Sequence, residues 1–316
     1  MPFTRLTRSQ NLQIFRYENV DQFSQGLRGA DVDFVPLGKT DAPVGQAILS
    51  LPGCDVYLFR TFPRIVHALL RGRGAFIMLA MEDISATFNG REVESPSLLF
   101  ARGPLEYRAV ERVAGFHAAI VFSSAMEMRG WPETHGAFLA VRIGREAERM
   151  LRDLILSQFE TVSQRPDFMT TAARSGLENS LLDALDLVFE GWQVDKLAKH
   201  EGLRDGVRTL KAIDDLIDSR LSKPIYSQDV ASQLGISVRS LTNLMMRSNG
   251  KSLHQYLRLR RLWTVRRQLL KGDPRVLVKD VALSNGFWHL SDFASKYFAE
   301  FGELPSATQA RAHAHH

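Results

Sequence analysis

The sequence predicts an α+β protein: an N-terminal β-barrel, a helical segment after it, and an all-α C-terminal third. Three observations carry that reading. Short apolar or alternating runs punctuated by Gly, Pro and Asn fill residues 1–143. Two apolar-striped helical segments follow between Arg145 and Trp192, and from Gly202 onward a helix–glycine–helix unit occurs twice. The boundaries are therefore a β-barrel over 1–143, a helical dimerisation and linker region over 144–200, and a helical domain over 203–316. A length of 316 residues suits two or three domains at ~100–200 residues each.

Composition narrows the class. A hydrophobic content of 45% with 24% charged residues fits a soluble globular chain rather than a disordered one. The single cysteine, Cys54, excludes an internal disulfide framework and a Cys-rich zinc module, and fits a reducing cytoplasm. No apolar run approaches the ~18 residues of a membrane span, and Met1–Gln10 lacks a signal-peptide core. The formal charge of +5 is unevenly placed. Residues 1–202 hold 22 basic and 25 acidic side chains, a net of −3, and residues 203–316 hold 18 and 10, a net of +8. A basic domain joined to a slightly acidic body suggests a polyanion-binding module.

In the first region the runs Asp31–Leu37, Gln46–Leu51, Val56–Phe62, Ala75–Met81, Ile84–Phe88 and Phe116–Phe122 read as strands, and Phe88-Asn89-Gly90-Arg91 as a hairpin turn. Short strands at this spacing predict a small barrel or sandwich. In the second region Leu151, Leu154, Ile155 and Phe159, then Leu177, Leu181, Leu182, Leu185 and Val188, form apolar stripes broken near Pro166. Two partners fit those stripes, the barrel or a second subunit. Lys196–Arg208, polar and with two glycines, reads as a linker.

In the third region Val230, Leu234, Leu241 and Leu244 supply contacts between two crossed helices, with small Ala231 at their approach. Gly235 ends the first helix where a positive φ is cheap only for glycine, and Ser237 caps the second. Such helix-turn-helix units fall at about 225–247 and 277–299. The second runs from Lys279 through Gly286-Phe287 to Leu290, Phe293, Tyr297 and Phe298. Six positions separate Gly235 from Leu241 and seven separate Gly286 from Phe293, so the second turn is one residue longer. Ser252 to Lys271 reads as one connecting helix of about twenty residues, ~30 Å long, with Leu253, Leu257, Leu262, Trp263 and Val265 inward and Arg258, Arg260, Arg261, Arg266 and Arg267 on the other faces. Successive major-groove faces of B-DNA recur every ~34 Å, so a connector of this length can place two helices in adjacent grooves.

Gly286-Phe-Trp-His-Leu-Ser-Asp-Phe293, Tyr297, Phe301-Gly302 and Leu304-Pro305-Ser306, with the first unit and Gly250-Lys-Ser-Leu253, strongly resemble AraC/XylS-type transcription regulators over about residues 205–311. Asn243 and Met245-Met246 depart from the residues many members carry, so base preference does not transfer. The resemblance implies a cupin-like barrel that senses an effector, a homodimer, promoter DNA and RNA polymerase as partners, and activation of transcription. By position, Val238, Arg239, Thr242 and Asn243 face DNA from the first unit, where Arg reads G, Asn reads A and Thr touches a thymine methyl. Trp288, His289, Ser291, Asp292 and Ser295 face it from the second, with Trp288 packing on the connecting helix as the alternative. Arg247, Lys251 and Lys296 suit phosphates.

The sequence holds no nucleophile elbow, Walker loop or paired-carboxylate motif, so no catalytic residue is assigned and the chain does not read as an enzyme. The nine histidines show no metal-ligand spacing, and neither a metal nor a cofactor is expected. The arm Thr4-Arg-Leu-Thr-Arg-Ser-Gln10 is basic and rich in donors. Arginine forks chelate phosphate and the O6/N7 edge of guanine and stack on purines. With Arg60-Thr-Phe-Pro-Arg64 and Asp83-Ile-Ser85, the arm is similar to the arm-and-strand motif of PilZ-type cyclic di-GMP receptors, although its arginines are spaced RxxR and Gly90 falls two positions late. That resemblance implies cyclic di-GMP as effector, in control of exopolysaccharide genes, with Arg5 and Arg8 clamping guanine and phosphate. Thr7, Ser9 and Gln10 would donate hydrogen bonds, and Arg60, Arg64 and Asp83 would be further contacts. Three readings compete with it: a regulator sensing a sugar, amine or aromatic acid in the barrel, a barrel enzyme or metabolite-binding protein fused to a DNA-tethering domain, and an architectural DNA-binding protein without an effector.

Overall fold

The computed structural model of the chain describes residues 3–17, 20–23, 29–38, 44–72, 74–83, 85–123, 129–132, 134, 138–190, 193–194, 201–271 and 275–313. The chain divides into two compact units, one formed up to His200 and the other from Glu201 onward, with the short segment 35–39 grouped with the latter.

The first unit carries strands β1 (Leu12–Tyr17), β2 (Ala30–Pro36), β3 (Val44–Ser50), β4 (Cys54–Arg60), β5 (Arg64–Leu70), β6 (Ala75–Ala80), β7 (Ser85–Phe88), β8 (Arg91–Glu94), β9 (Ser97–Arg102), β10 (Leu105–Glu111), β11 (Phe116–Phe122), β12 (Leu139–Arg142) and β13 (Gln193–Val194). They form two sheets rather than the closed, cupin-like barrel expected. The larger runs β1-β3-β4-β11-β6-β9-β12-β13 and the smaller β2-β5-β10-β7-β8. The larger sheet is apolar on both faces, one packed on the smaller sheet and the other on helices. Strands buried in this way carry the same pattern in an open sheet as in a closed barrel, so closure does not follow from the sequence. Strand side chains alternate between faces. Tyr57, Phe59, Phe76, Leu99 and Ala119 face the smaller sheet and pack with Val66, Ala68, Tyr107 and Ala109. Their neighbours Val56, Leu58, Ile77, Phe100 and Ile120 point the other way. The near-continuous apolar runs of β4 and β11 record this double burial. The β7–β8 turn has Asn89 at φ 49° and Gly90 at φ 81°, as the Asn-Gly pair requires. Of the strand predicted over Ile84–Phe88, Ile84 lies outside the described residues.

The second face of the larger sheet is covered by α1 (Arg145–Gln164) and α2 (Thr171–Glu190), separated by a 3-10 turn at Pro166–Phe168. Leu151, Ile155, Phe159, Leu181, Leu182, Leu185 and Val188 share one core with the strands. Packing on the β-unit is therefore the partner these stripes use. The side-chain amide of Gln158 donates to the carbonyl of Leu177 at 2.8 Å and joins the two helices.

The second unit is helical: α3 (Glu201–Ser219), α4 (Ser227–Gln233), α5 (Val238–Asn249), α6 (Leu253–Leu269), α7 (Val278–Ser284), α8 (Leu290–Phe301) and α9 (Pro305–His313). Residues 201–208, read as linker, belong to α3; residues 195–200 lie outside the described ones. The connecting helix α6 has 17 residues and is thus ~25 Å long rather than ~30 Å. Ser252 starts it with a capping box to Gln255. Its apolar side works as expected, with Leu262, Val265 and Leu269 packing on Val281, Phe287, Phe293 and Tyr297. Two of its arginines do not stay on the surface. Arg266 is buried against Glu303 at 2.8 Å and over the Phe301 ring, and Arg260 pairs with Asp218.

Candidate nucleic-acid interface

Each helix-turn-helix unit is closed by the same backbone device. In the first, Gly235 adopts φ 66° and the amide of Ile236 donates to Ala231 at 3.0 Å. In the second, Gly286 adopts φ 81° and the amide of Phe287 donates to Ala282 at 3.0 Å. These reversals release the chain from the short helix and aim it across. Ser237 then caps α5 by accepting from the amide of Ser240 at 3.0 Å, whereas His289 starts α8 without a side-chain cap. Helix α5 begins three positions after its glycine and α8 four after its own, the one-residue difference expected from the spacing.

The faces these turns leave outward carry the predicted residues. On α5, Val238, Arg239, Thr242, Asn243 and Arg247 are exposed and Lys251 is half-buried just beyond it. Arg239, Thr242 and Asn243 stand at i, i+3 and i+4 and so share one face. The Thr242 hydroxyl donates to the carbonyl of Val238 at 2.9 Å. At the second unit Trp288, His289, Ser291, Asp292 and Ser295 are exposed and Lys296 is half-buried. Trp288 is 63% exposed, so the alternative in which it packs on α6 does not hold. Asp292 forms an ion pair with Lys296 at 2.5 Å, which leaves this face nearly neutral beside the first. Sequence reasoning passed over Met246, exposed one turn beyond Asn243 on α5, and His254, which with Arg258 and Arg261 lines a cleft beside Trp288. Apolar or isolated residues give no charge signal, and the cleft is made by tertiary packing.

The residues proposed for an effector fare unevenly. Arg5 and Gln10 are exposed. The arm lies down on the first unit: the amide of Thr7 donates to the Ser163 hydroxyl at 2.7 Å, and Ser9 makes a bridge with Leu12. The Arg8 guanidinium donates through Nε to the carbonyl of Ile14 at 2.8 Å and sits over the exposed Phe15 ring. Arg60 pairs with Glu82 at 3.2 Å and stacks on Phe116 at 4.8 Å, and Phe3, just before the arm, approaches the same ring. Asp83, next to Glu82, is held by Arg152 at 3.1 Å. The structure thus brings Phe3 and Arg60 to one ring, whereas Asp83 is engaged by Arg152. Arg64 is a correction. Its side chain is 3% exposed and forms a salt bridge with Glu111 at 2.9 Å, so it faces the interior and not a ligand. Burial raises the Glu111 carboxyl, yet Arg64, His117 and Thr61 outweigh it and hold the group below its usual range. Burial pushes His117 below the usual imidazole value, with Arg64 adding to the shift and Glu111 opposing it. Among the described residues no group of three His, Cys, Asp or Glu side chains is placed to hold a metal ion.

Twin helix-turn-helix units with solvent-facing second helices on a basic unit define a DNA-recognition class of protein. Residues 230–311 match the helix-turn-helix domain family. The chain is 32% identical over 109 residues to the XylDLEGF operon transcriptional activator 2 of Pseudomonas putida, a match covering 34% of this chain and 69% of that protein. It is 33% identical over 114 residues to activator 3 of the same operon and organism, covering 35% of this chain. The match spans 34% of the length of that relative. Among solved structures, a probable AraC family transcriptional regulator from Rhodopseudomonas palustris is 31% identical with a TM-score of 0.32, covering 33% of this chain and 97% of its own. The AraC-like transcriptional activator CuxR is 16% identical with a TM-score of 0.36, covering 74% and 86%. The chain belongs to the AraC/XylS family of transcription regulators, which are not enzymes.

Proposed function

We propose that the protein is a DNA-binding transcription activator gated by a small effector held on its first unit. The observation that carries the first half is the pair of outward helices α5 and α8, each released by a positive-φ glycine, on a part of the chain with a net charge of +8. Arg239 and Asn243 read bases in one major-groove segment, and the second unit, with its Asp292–Lys296 pair, contributes position more than sequence. RNA polymerase, a second copy of the chain and a cytoplasmic setting complete this reading. Retention of duplex DNA by the full chain tests it: log affinity should fall linearly with log salt, and a slope near zero would contradict it.

For the effector the reading is cyclic di-GMP, with exopolysaccharide genes as target. Support comes from exposed Arg5, from Arg8 set 5.9 Å from the centre of the exposed Phe15 ring, and from Arg60 on the Phe116 ring that Phe3, just before the arm, also approaches. Thr7, Ser9 and Gln10 supply polar groups between the two arginines and β1. Arg64 is removed from the set by its burial. Calorimetric titration with cyclic di-GMP is the test. Heat that saturates, and that an Arg5→Ala/Arg8→Ala double variant loses while keeping its circular dichroism, supports the assignment. Absence of heat at high ligand concentration removes the nucleotide and leaves the DNA reading standing.

A further inference from the structure

A cleft of about 210 Å³ opens between the first half of α6 and the turn leading into α8. At ~30 Å³ per water, it has room for a hydrated phosphate group. Its walls include Arg258 and Arg261 from α6, Trp288 from the turn, and Asp292 and Lys296 from α8.

Arg261 is the unusual member. Its Nε donates to the carbonyl of Leu221 at 2.7 Å and one terminal nitrogen to that of Lys223 at 2.6 Å. Both acceptors are neutral, so the guanidinium is fixed in place while its charge stays uncompensated. Burial alone acts on it, pulling it below the usual guanidinium value. The turn is fitted around this group, because a Cβ on Gly286 would sit 2.9 Å from the Arg261 Cζ. Arg258, three positions earlier, is exposed, and the carboxylate that feels its charge, Glu300, also feels Lys251. Lys296 is matched by Asp292. The lining therefore holds Arg261, on which no carboxylate acts among the described residues, beside exposed Arg258, which shares Glu300 with Lys251. A partly desolvated cation without an anion is costly, and a guanidinium fork fits phosphate oxygens better than any other side chain does.

We propose that this cleft is a phosphate site, filled by a phosphodiester of the DNA strand between the groove segments taken by α5 and α8, with Arg258 and Arg261 as its ligands. The inference rests on the DNA-binding reading above and deepens it. Phosphate held here gives the connecting helix its own contact and fixes the register of both units on the duplex without reading sequence.

The test uses the full chain and a mixed-sequence duplex several helical turns long, with affinity followed over a range of salt concentrations. Arg258→Gln removes a charge without touching the carbonyl anchors, and Lys271→Gln, an exposed cation outside the cleft, controls for charge alone. The expected result is a slope of log affinity against log salt that is shallower by ~0.9 for Arg258→Gln and little changed for Lys271→Gln. Arg261→Lys keeps the charge but loses the fork and its carbonyl anchors, so it should lower the melting temperature and, with the protein still folded, weaken DNA binding. Equal effects of Arg258→Gln and Lys271→Gln, or an unchanged Arg258→Gln slope with the intact protein still binding, overturn the cleft assignment and spare the DNA reading. An intact protein that does not bind the duplex overturns both. Titration with inorganic phosphate in the absence of DNA separates the sources: saturable binding abolished by Arg258→Gln, with the DNA slope unchanged, assigns the cleft to a free anion and overturns the backbone contact.

Discussion

Glu111 and His117 meet inside the first unit with Arg64 against the carboxylate, and all three are buried. His117 is held below its usual value of 6.5, so as the pH falls past 6.5 the unfolded chain takes up its proton before the folded one does. Stability must then drop as the medium is acidified. A His117→Gln variant should show a flatter denaturation midpoint between neutral and mildly acid pH than the native protein; parallel curves would remove His117 as the cause. Glu111 acts lower on the scale. Its folded value lies below 4.5, so its contribution is full above 4.5 and lost as the pH falls through the folded value. Glu111→Ala should cost about 3–5 kcal/mol in chemical denaturation at neutral pH, because it strands the Arg64 charge in the interior. Arg64 shows what a strand sequence hides. Arginine is usually exposed, and nothing local marks the one whose partner sits 47 residues away.

The turn of each helix-turn-helix unit isolates the cost of a positive φ from the cost of crowding. Gly235 adopts φ 66° with nothing within 4 Å of the position a Cβ would take, whereas Gly286 combines φ 81° with the Arg261 guanidinium at 2.9 Å. Gly235→Ala should therefore lose about 1–2 kcal/mol, the left-handed strain alone. Gly286→Ala should lose measurably more and weaken DNA retention beyond what its melting temperature explains, since Arg261 must move. Equal losses at the two positions would mean that Arg261 is not fixed by its carbonyls. At this scale the helical unit was largely legible: the glycines, the Ser237 cap, the extra turn residue before α8 and the inward stripe of α6 all follow from sequence spacing. The β-unit was less so. Its strands and its Asn-Gly turn could be read, but apolar runs buried on two faces look the same whether a barrel closes or a helical layer covers an open sheet. The start of α3 was missed because Gly202 and Gly206 suggested a linker. The DNA-facing side chains of α5 and α8 were legible because exposure follows helical period once the turn is placed.

For the whole molecule, the division of charge coincides with a division of structure. The compact units separate at His200 and Glu201, and the change from a net of −3 to a net of +8 falls beside that point. Each has its own buried cluster, one of strands with α1 and α2, the other centred on α6 with α7 and α8. Cores that share no side chains need not melt together, so unfolding of the full chain is not expected to follow a single two-state transition. A fragment covering 201–316 should keep its helical circular dichroism and retain duplex DNA, with a salt slope no steeper than that of the full chain under the same conditions. Its affinity should be weaker only to the extent that pairing of two chains through the first unit adds a second DNA contact. The fragment covering 1–200 should fold without retaining DNA, since its net charge is nearly balanced and slightly negative, which gives phosphates no field to follow. Equal DNA retention by the two fragments would place the electrostatic footprint elsewhere than on α5, α6 and α8. A steeper slope for the full chain than for 201–316 would show that the first unit adds phosphate contacts. An Arg5→Ala/Arg8→Ala variant of the full chain would separate the arm, whose charge it removes, from a paired second chain, which it leaves.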